Sequence, residues 1–189
     1  MPTAEEISRR SLLEANGLLM RFDRIDQDKY EMPGLFFRAT DQYGMYGAPT
    51  MVFDEVKVDG KWMKGPVLLN LYGHWNTDAI VWNLPGVPGD HYATYKSAMV
   101  YLKGILAKNG GKYPEIPPVE IARDQAPCKQ VVLKGDEIDL LKFPFVKTNP
   151  ADGGRYVNTG SHFMVDPKLG TNFGTYRAGY TRNQIVLKG

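Results

Sequence analysis

The chain has 189 residues, 43% hydrophobic, 12% aromatic and 23% charged, and its 23 basic against 21 acidic residues leave a net charge of +2. This profile excludes a disordered or fibrous chain, and it lacks the strong basic field on which nonspecific phosphate-backbone binding rests, so no nucleic-acid partner is expected. A single cysteine, Cys128, excludes an internal disulfide and a cysteine-rich zinc site, and a cytoplasmic location is the expectation.

Glu5 and Glu6 stand where a signal peptide needs a basic start and an apolar run, and no stretch approaches about 18 consecutive apolar residues, so neither export nor a membrane span is expected. Thr3 followed by Glu6 is a capping-box pattern that predicts a helix running to about Asn16-Gly17, with Ile7, Leu12 and Leu13 on its buried side. From Pro33 to Pro49, glycines interrupt the short apolar run Leu35-Phe36-Phe37, which reads as a strand leading into a loop. Met51 to Val58 and Trp62 to Leu71 flank Asp59-Gly60, a pair that supplies the positive φ angles of a two-residue hairpin turn.

Asn76-Thr77-Asp78 can cap a short helix that must end near Leu84-Pro85-Gly86. Gly89-Asp90 then opens a longer one, in which Tyr92, Tyr95, Met99, Leu102 and Leu106 recur at helical spacing up to a left-handed stop at Asn109-Gly110-Gly111. Pro114, Pro117 and Pro118 favour a stiff extended connector and mark a domain boundary. Beyond it come short β-like runs at Gln130 to Leu133, Tyr156 to Val165, Phe173 to Tyr180 and Ile185 to Leu187, joined by Gly-rich turns that suggest a barrel-like sheet. The expected fold class is α+β: an N-terminal mixed α/β domain over residues 1–113, a Pro-rich connector over 114–128, and the first strands of a split β-barrel over 129–189, left open with an unpaired edge.

The three histidines, at 74, 91 and 162, form no HExxH or i, i+4 pair, so a zinc site built from this chain is not expected, and each reads as structural or as a single participant. No GxSxG elbow or Walker loop is present. The segment Asn149 to Gly160, followed by Asp166 to Arg177, stands out for its glycines, the neutral amide oxygen of Asn172 and a guanidinium five residues later. An odd spacing puts Asn172 and Arg177 on opposite faces of a regular strand. A bulge or bend near Gly174 would bring both to one ligand, and a decorated hairpin with a surface arginine fits the same spacing equally well.

The pattern DGGRYVNTG followed by DPKLGTNFGTYR resembles the cofactor-binding signature of the UbiD family, reversible decarboxylases that use prenylated FMN. The likeness is strong over residues 143–177 and looser before them. It implies a flavin-binding split barrel in which Asn172 supplies a side-chain oxygen to Mn2+, a hard ion suited to such a ligand, and the Phe173 carbonyl helps hold K+. Gly174, Thr175 and Tyr176 fall in the run that lies against the cofactor, and Arg177 fits a substrate carboxylate. The implied reaction is decarboxylation, or its reverse, of an aromatic or α,β-unsaturated carboxylic acid, with the cofactor from a flavin prenyltransferase and a homo-oligomeric enzyme.

The family's metal-binding histidine and glutamate and its two catalytic glutamates lie further downstream than Arg177. The chain is therefore expected to be the N-terminal part of a longer protein, or one piece of a split one, and inactive alone. An ordinary FMN-reductase-type barrel and a non-catalytic subunit are the alternative readings.

Overall fold

The local patterns resolve into ten helices and strands in a computed structural model that describes residues 9–117, 119–180 and 185–187. In chain order they are α1 (Arg9–Ala15), β1 (Leu19–Asp26), α2 (Glu31–Tyr43), β2 (Thr50–Val58), β3 (Lys61–Leu69), α3 (Thr77–Val81), α4 (His91–Lys108), β4 (Tyr156–Asp166), β5 (Gly170–Tyr180) and β6 (Ile185–Leu187). They form two three-stranded sheets, β1-β2-β3 and β4-β5-β6. The fold class is α+β, as expected, and both sheets are open rather than closed into a barrel. No helix among the described residues is long and apolar enough to cross a membrane.

The chain divides into two compact units built from interleaved segments: Met1–Phe22, Leu35–Val52 and Leu68–Val131 in the first, Asp23–Gly34, Phe53–Val67 and Val132–Gly189 in the second. In the first unit Leu13, Ala48, Met51, Val52 and Ala98 are fully buried. The Trp75 ring centre lies 4.2 Å from that of Tyr46 and 4.8 Å from that of Tyr95, forming an aromatic cluster where α4 begins. Asp90 caps α4 by accepting from the Ala93 N–H at 2.8 Å, and the Gly111 N–H closes the far end on the Leu106 carbonyl at 2.7 Å. The most buried line of α4 is Thr94 and Ala98, whereas Tyr92 is half exposed. Small side chains let a helix approach its neighbours closely, so the buried face is offset from the line of large apolar residues. The Asn76 side chain does not cap α3.

Two expectations need correction, and one strand lies where none was expected. Residues 31–43 are helical rather than extended: Pro33 sits in the first turn of α2, where its missing N–H has no helical partner to lose, and Met32 and Ala39 provide a buried helical spacing. β1 is a strand that the charged residues Arg21, Asp23 and Arg24 disguise in the sequence. Gln130 to Leu133 forms no strand; Val131 is 77% exposed, and without a neighbouring strand its β-branched run has no ladder to join. The Thr3 and Glu6 capping residues and Ile7 lie outside the described residues.

In the second unit Asp59 and Gly60 have φ angles of 51° and 76°, as the predicted hairpin turn between β2 and β3 requires. β4 and β5 are antiparallel, with Met164 opposite Asn172, His162 opposite Gly174 and Gly160 opposite Tyr176. The turn between them is tied by Asp166, whose carboxylate accepts from the Lys168 and Leu169 N–H groups at 2.8 Å each. These two bonds hold its pKa below the usual carboxylate value. β6 pairs with β5 only from Ala178 to Tyr180.

Candidate active site on the β4 and β5 hairpin

The register of β4 against β5 breaks between Val157 and Gly160. Asn158 and Thr159 thus stand opposite the single residue Arg177, which is a β-bulge. The extra residue lets β4 offer Arg177 a side chain that a regular ladder would aim elsewhere: Arg177 Nε donates to Asn158 Oδ1 at 2.9 Å. Its Nη2 donates to Asp152 Oδ2 at 2.5 Å, and its guanidinium carbon lies 4.0 Å from the centre of the Tyr156 ring. A cation over an aromatic face gains from the ring quadrupole, so three different contacts orient one guanidinium.

Asp152 is held in turn by its own loop. Its Oδ2 accepts from the Asn149 N–H at 3.2 Å, and Asn149 Oδ1 accepts from the Ala151 N–H at 2.9 Å. The hydrogen bond from Arg177 is the main cause that holds the Asp152 carboxyl below the usual carboxylate range, against a smaller opposing effect of burial. The same bond holds Arg177 firmly protonated. Asp152 is 12% exposed and Arg177 43%, so the carboxylate forms the floor of the site and the guanidinium its open surface.

The β5 backbone pairs without interruption from Gly170 to Tyr176. Asn172, Gly174 and Tyr176 therefore share one face of the hairpin, and Phe173, Thr175 and Arg177 the other. The bulge lies on β4 opposite Arg177 rather than near Gly174, so it does not rotate Asn172 to the Arg177 side. What the two residues share is an edge: β6 starts to pair at Ala178, and the stretch Gly170 to Arg177 has no further strand beside it among the described residues. A ligand lying along that edge meets side chains of both faces.

Gly160 and Gly174 leave room for two rings on the Asn172 face. A Cβ on Gly174 would fall 2.5 Å from the Tyr176 ring, and one on Gly160 would fall 2.6 Å from His162 Nε2. The two rings reach over these glycines with their centres 5.6 Å apart, edge to face. His74 and His91 pack with ring centres 5.0 Å apart in the first unit. His74 Nδ1 accepts from the Asn76 N–H at 3.0 Å, and burial followed by the neighbouring His91 lowers its pKa. Among the described residues no group of three or more His, Cys, Asp or Glu side chains is placed to hold a metal ion.

Arg177 was visible in the sequence, but its supporting set of Asp152, Asn158 and Tyr156 was not. All three lie within the quoted signature, yet only the bulge and the Asn149 turn reveal that they converge on one side chain.

An α+β chain whose open antiparallel sheet presents a buttressed arginine beside a free edge is suited to receiving a small carboxylate. Residues 119–187 match the family model described as UbiD, the 3-octaprenyl-4-hydroxybenzoate carboxy-lyase Rift-related domain. It is 28% identical over 138 residues to a phenolic acid decarboxylase of Sedimentibacter hydroxybenzoicus, an alignment covering 72% of this chain and 26% of that protein. The vanillic acid decarboxylase structure from the same organism, in open form, matches with a TM-score of 0.75 and 24% identity over 96% of this chain and 37% of its own. The UbiD-class enzyme HmfF of Pelotomaculum thermopropionicum, in an evolved dimeric form in complex with prFMN, matches with a TM-score of 0.65 and 21% identity over 96% and 38%. The chain thus spans about a quarter of the length of the phenolic acid decarboxylase.

The residues on the β5 edge fit part of a flavin and carboxylate site. Asn172 and Arg177 are exposed there, and the space over Gly174 is filled by an aromatic ring rather than by backbone. Asn172 offers a single neutral side-chain oxygen to a metal.

Proposed function

We propose that this chain forms part of a prenylated-FMN-dependent decarboxylase that acts reversibly on an aromatic or α,β-unsaturated carboxylic acid. The observation that carries this reading is the Arg177 cradle. Asp152 and Asn158 engage Nη2 and Nε, which leaves Nη1 and the exposed outer edge of the guanidinium to meet a carboxylate. Because Asp152 sets the plane of the fork before substrate arrives, little orientational freedom is lost on binding.

In this reading Asn172 Oδ1 is a ligand for Mn2+ and the Phe173 carbonyl for K+, while Gly174, Thr175 and Tyr176 line the cofactor. When bound, prenylated FMN would supply the electron sink for loss of carbon dioxide. This chain's own contribution is to hold the carboxylate on Arg177 and to present the β5 edge to the cofactor. A flavin prenyltransferase would supply the cofactor, residues 129–189 would open the flavin domain, and a cytoplasmic homo-oligomer is the expected form.

The test uses the smallest assembly containing this chain that decarboxylates, loaded by co-expression with a flavin prenyltransferase. Arg177→Ala should lower turnover by about 100-fold or more, the order seen on removing a preorganised charged donor, while native mass spectrometry shows the flavin retained. Asn172→Ala should instead lose metal and flavin together. Unchanged turnover in Arg177→Ala would remove the arginine from the site and the reading with it.

A further inference from the structure

The tip of the β2 and β3 hairpin is fixed by Asp28, whose two carboxylate oxygens accept from the Asp59 and Gly60 N–H groups at 2.7 Å each. The Asp59 carboxylate pairs with Nη2 of Arg155, and Arg155 Nη1 donates to the Leu141 carbonyl at 3.4 Å. The Arg155 side chain is only 11% exposed. It serves as a brace between the hairpin tip and the turn Leu140–Lys142.

The two braced walls border a half-open cavity of about 610 Å3. Lys61, Trp62 and Lys64 of β3 line one side, and Asp139 and Lys142 the other. Arg155 is engaged in the brace, whereas Lys61, Lys64 and Lys142 make no ion pair among the described residues. Three lysines line this one cavity, and an anion bound there would relieve the repulsion among their like charges. Trp62 is 47% exposed. The Arg24 guanidinium lies 5.3 Å from its ring centre and is itself held by Glu55 at 2.6 Å.

We propose that this cavity binds a small planar anion: an aromatic ring carrying one carboxylate or phosphate, with the ring against Trp62 and the anionic group among Lys61, Lys64 and Lys142. The volume falls within the roughly 300 to 1,000 Å3 of small-molecule sites. Asp59 and Asp139 in the lining disfavour a long polyanion, which would need an uninterrupted basic stripe. None of the lining residues belongs to the run Asn172 to Arg177, so the inference does not rest on the decarboxylase reading.

The test is a titration of the 15N-labelled chain with 4-hydroxybenzoate, phenyl phosphate and inorganic phosphate, following the indole N–H signals of Trp62, Trp75 and Trp82. Trp62→Phe assigns the Trp62 signal. Saturable movement of that signal with both ring-bearing anions is expected, with inorganic phosphate roughly tenfold weaker because it forgoes the ring contact. The tighter of the two ring-bearing probes identifies the preferred anionic group. Lys61→Glu combined with Lys64→Glu should weaken binding by about tenfold or more, with the Trp75 and Trp82 signals in place as the check on folding. Lys142→Ala is the second variant should the pair fail that check. A Trp62 signal that does not move, inorganic phosphate binding as tightly as the ring-bearing anions, or lysine variants that bind like the parent would overturn the proposal.

Discussion

Phe53 on β2 and Phe173 on β5 are the same side chain in opposite circumstances: the first is fully buried and the second 56% exposed. The contrast extends to their surroundings. β2 is the central strand of its sheet and buries Met51, Val52, Phe53 and Val56 completely. The hairpin of β4 and β5 leaves Phe163, Val165 and Leu169 at 74%, 78% and 90% exposure. β2 is thus held by area removed from water. The hairpin is held by its ladder, the Asp166 turn and the Arg177 contacts, in a two-stranded form that is marginal on its own in water. Fully buried apolar side chains are concentrated on β2, and the Arg177 cradle lies on the exposed hairpin.

The largest test of this contrast is Phe53→Ala, which should cost about 3–5 kcal/mol in denaturant unfolding, because it removes a buried ring and leaves a cavity. A loss below about 1 kcal/mol would mean that β2 is not the stabilising strand. Asp28→Ala should cost about 1 kcal/mol by releasing the two N–H groups of the hairpin tip to solvent. Its more specific signature is faster amide exchange at Asp59 and Gly60.

Phe173→Ala should cost less than about 1 kcal/mol, confined to the ring contact with Phe163, whose centre lies 4.8 Å away. The substitution leaves the backbone carbonyl at residue 173 in place, so any bound monovalent cation should be retained. Equal losses in Phe53→Ala and Phe173→Ala would erase the distinction between the two regions.

The smallest effect is a slope with pH. His74 has a folded pKa below its ordinary 6.5, so the unfolded chain takes up a proton first. Its contribution to stability is present above about 6.5 and declines as pH falls below that value. Urea midpoints of the parent chain measured from about pH 8 to pH 5 should show this decline, and His74→Gln should flatten it. Asp152 behaves differently within the same scan. Its folded pKa is also lowered, but the stability it contributes is complete above the ordinary 3.8 and is lost only as pH falls through the lowered value. The Arg177 tether should therefore persist across the range in which His74 titrates.

The hairpins were legible because their signals are local. Asp59-Gly60 can adopt the required positive φ angles, and Asp166 can tie its own turn with neighbouring N–H groups, whatever the rest of the chain does. α4 was legible for the same reason, between the Asp90 cap and the Gly110-Gly111 stop. α2 was not, because a proline and a glycine near its start mimic a break and only the buried Met32 and Ala39 reveal its face. Gln130 to Leu133 failed in the opposite sense: its residues suit a strand, but a strand needs a partner that sequence alone does not supply.

By itself the sequence determined the α+β class, the turn positions and the run Asn172 to Arg177 that marks the UbiD resemblance, since each depends on residues near one another along the chain. Only the tertiary structure decided that Asp152, Asn158 and Tyr156 converge on Arg177, that the bulge lies on β4, and that Arg155 pairs with Asp59, 96 residues earlier in the chain, beside a lysine-lined cavity. Those arrangements depend on strand register and on contacts between distant segments, where a shift of one residue sends a side chain to the other face of the sheet.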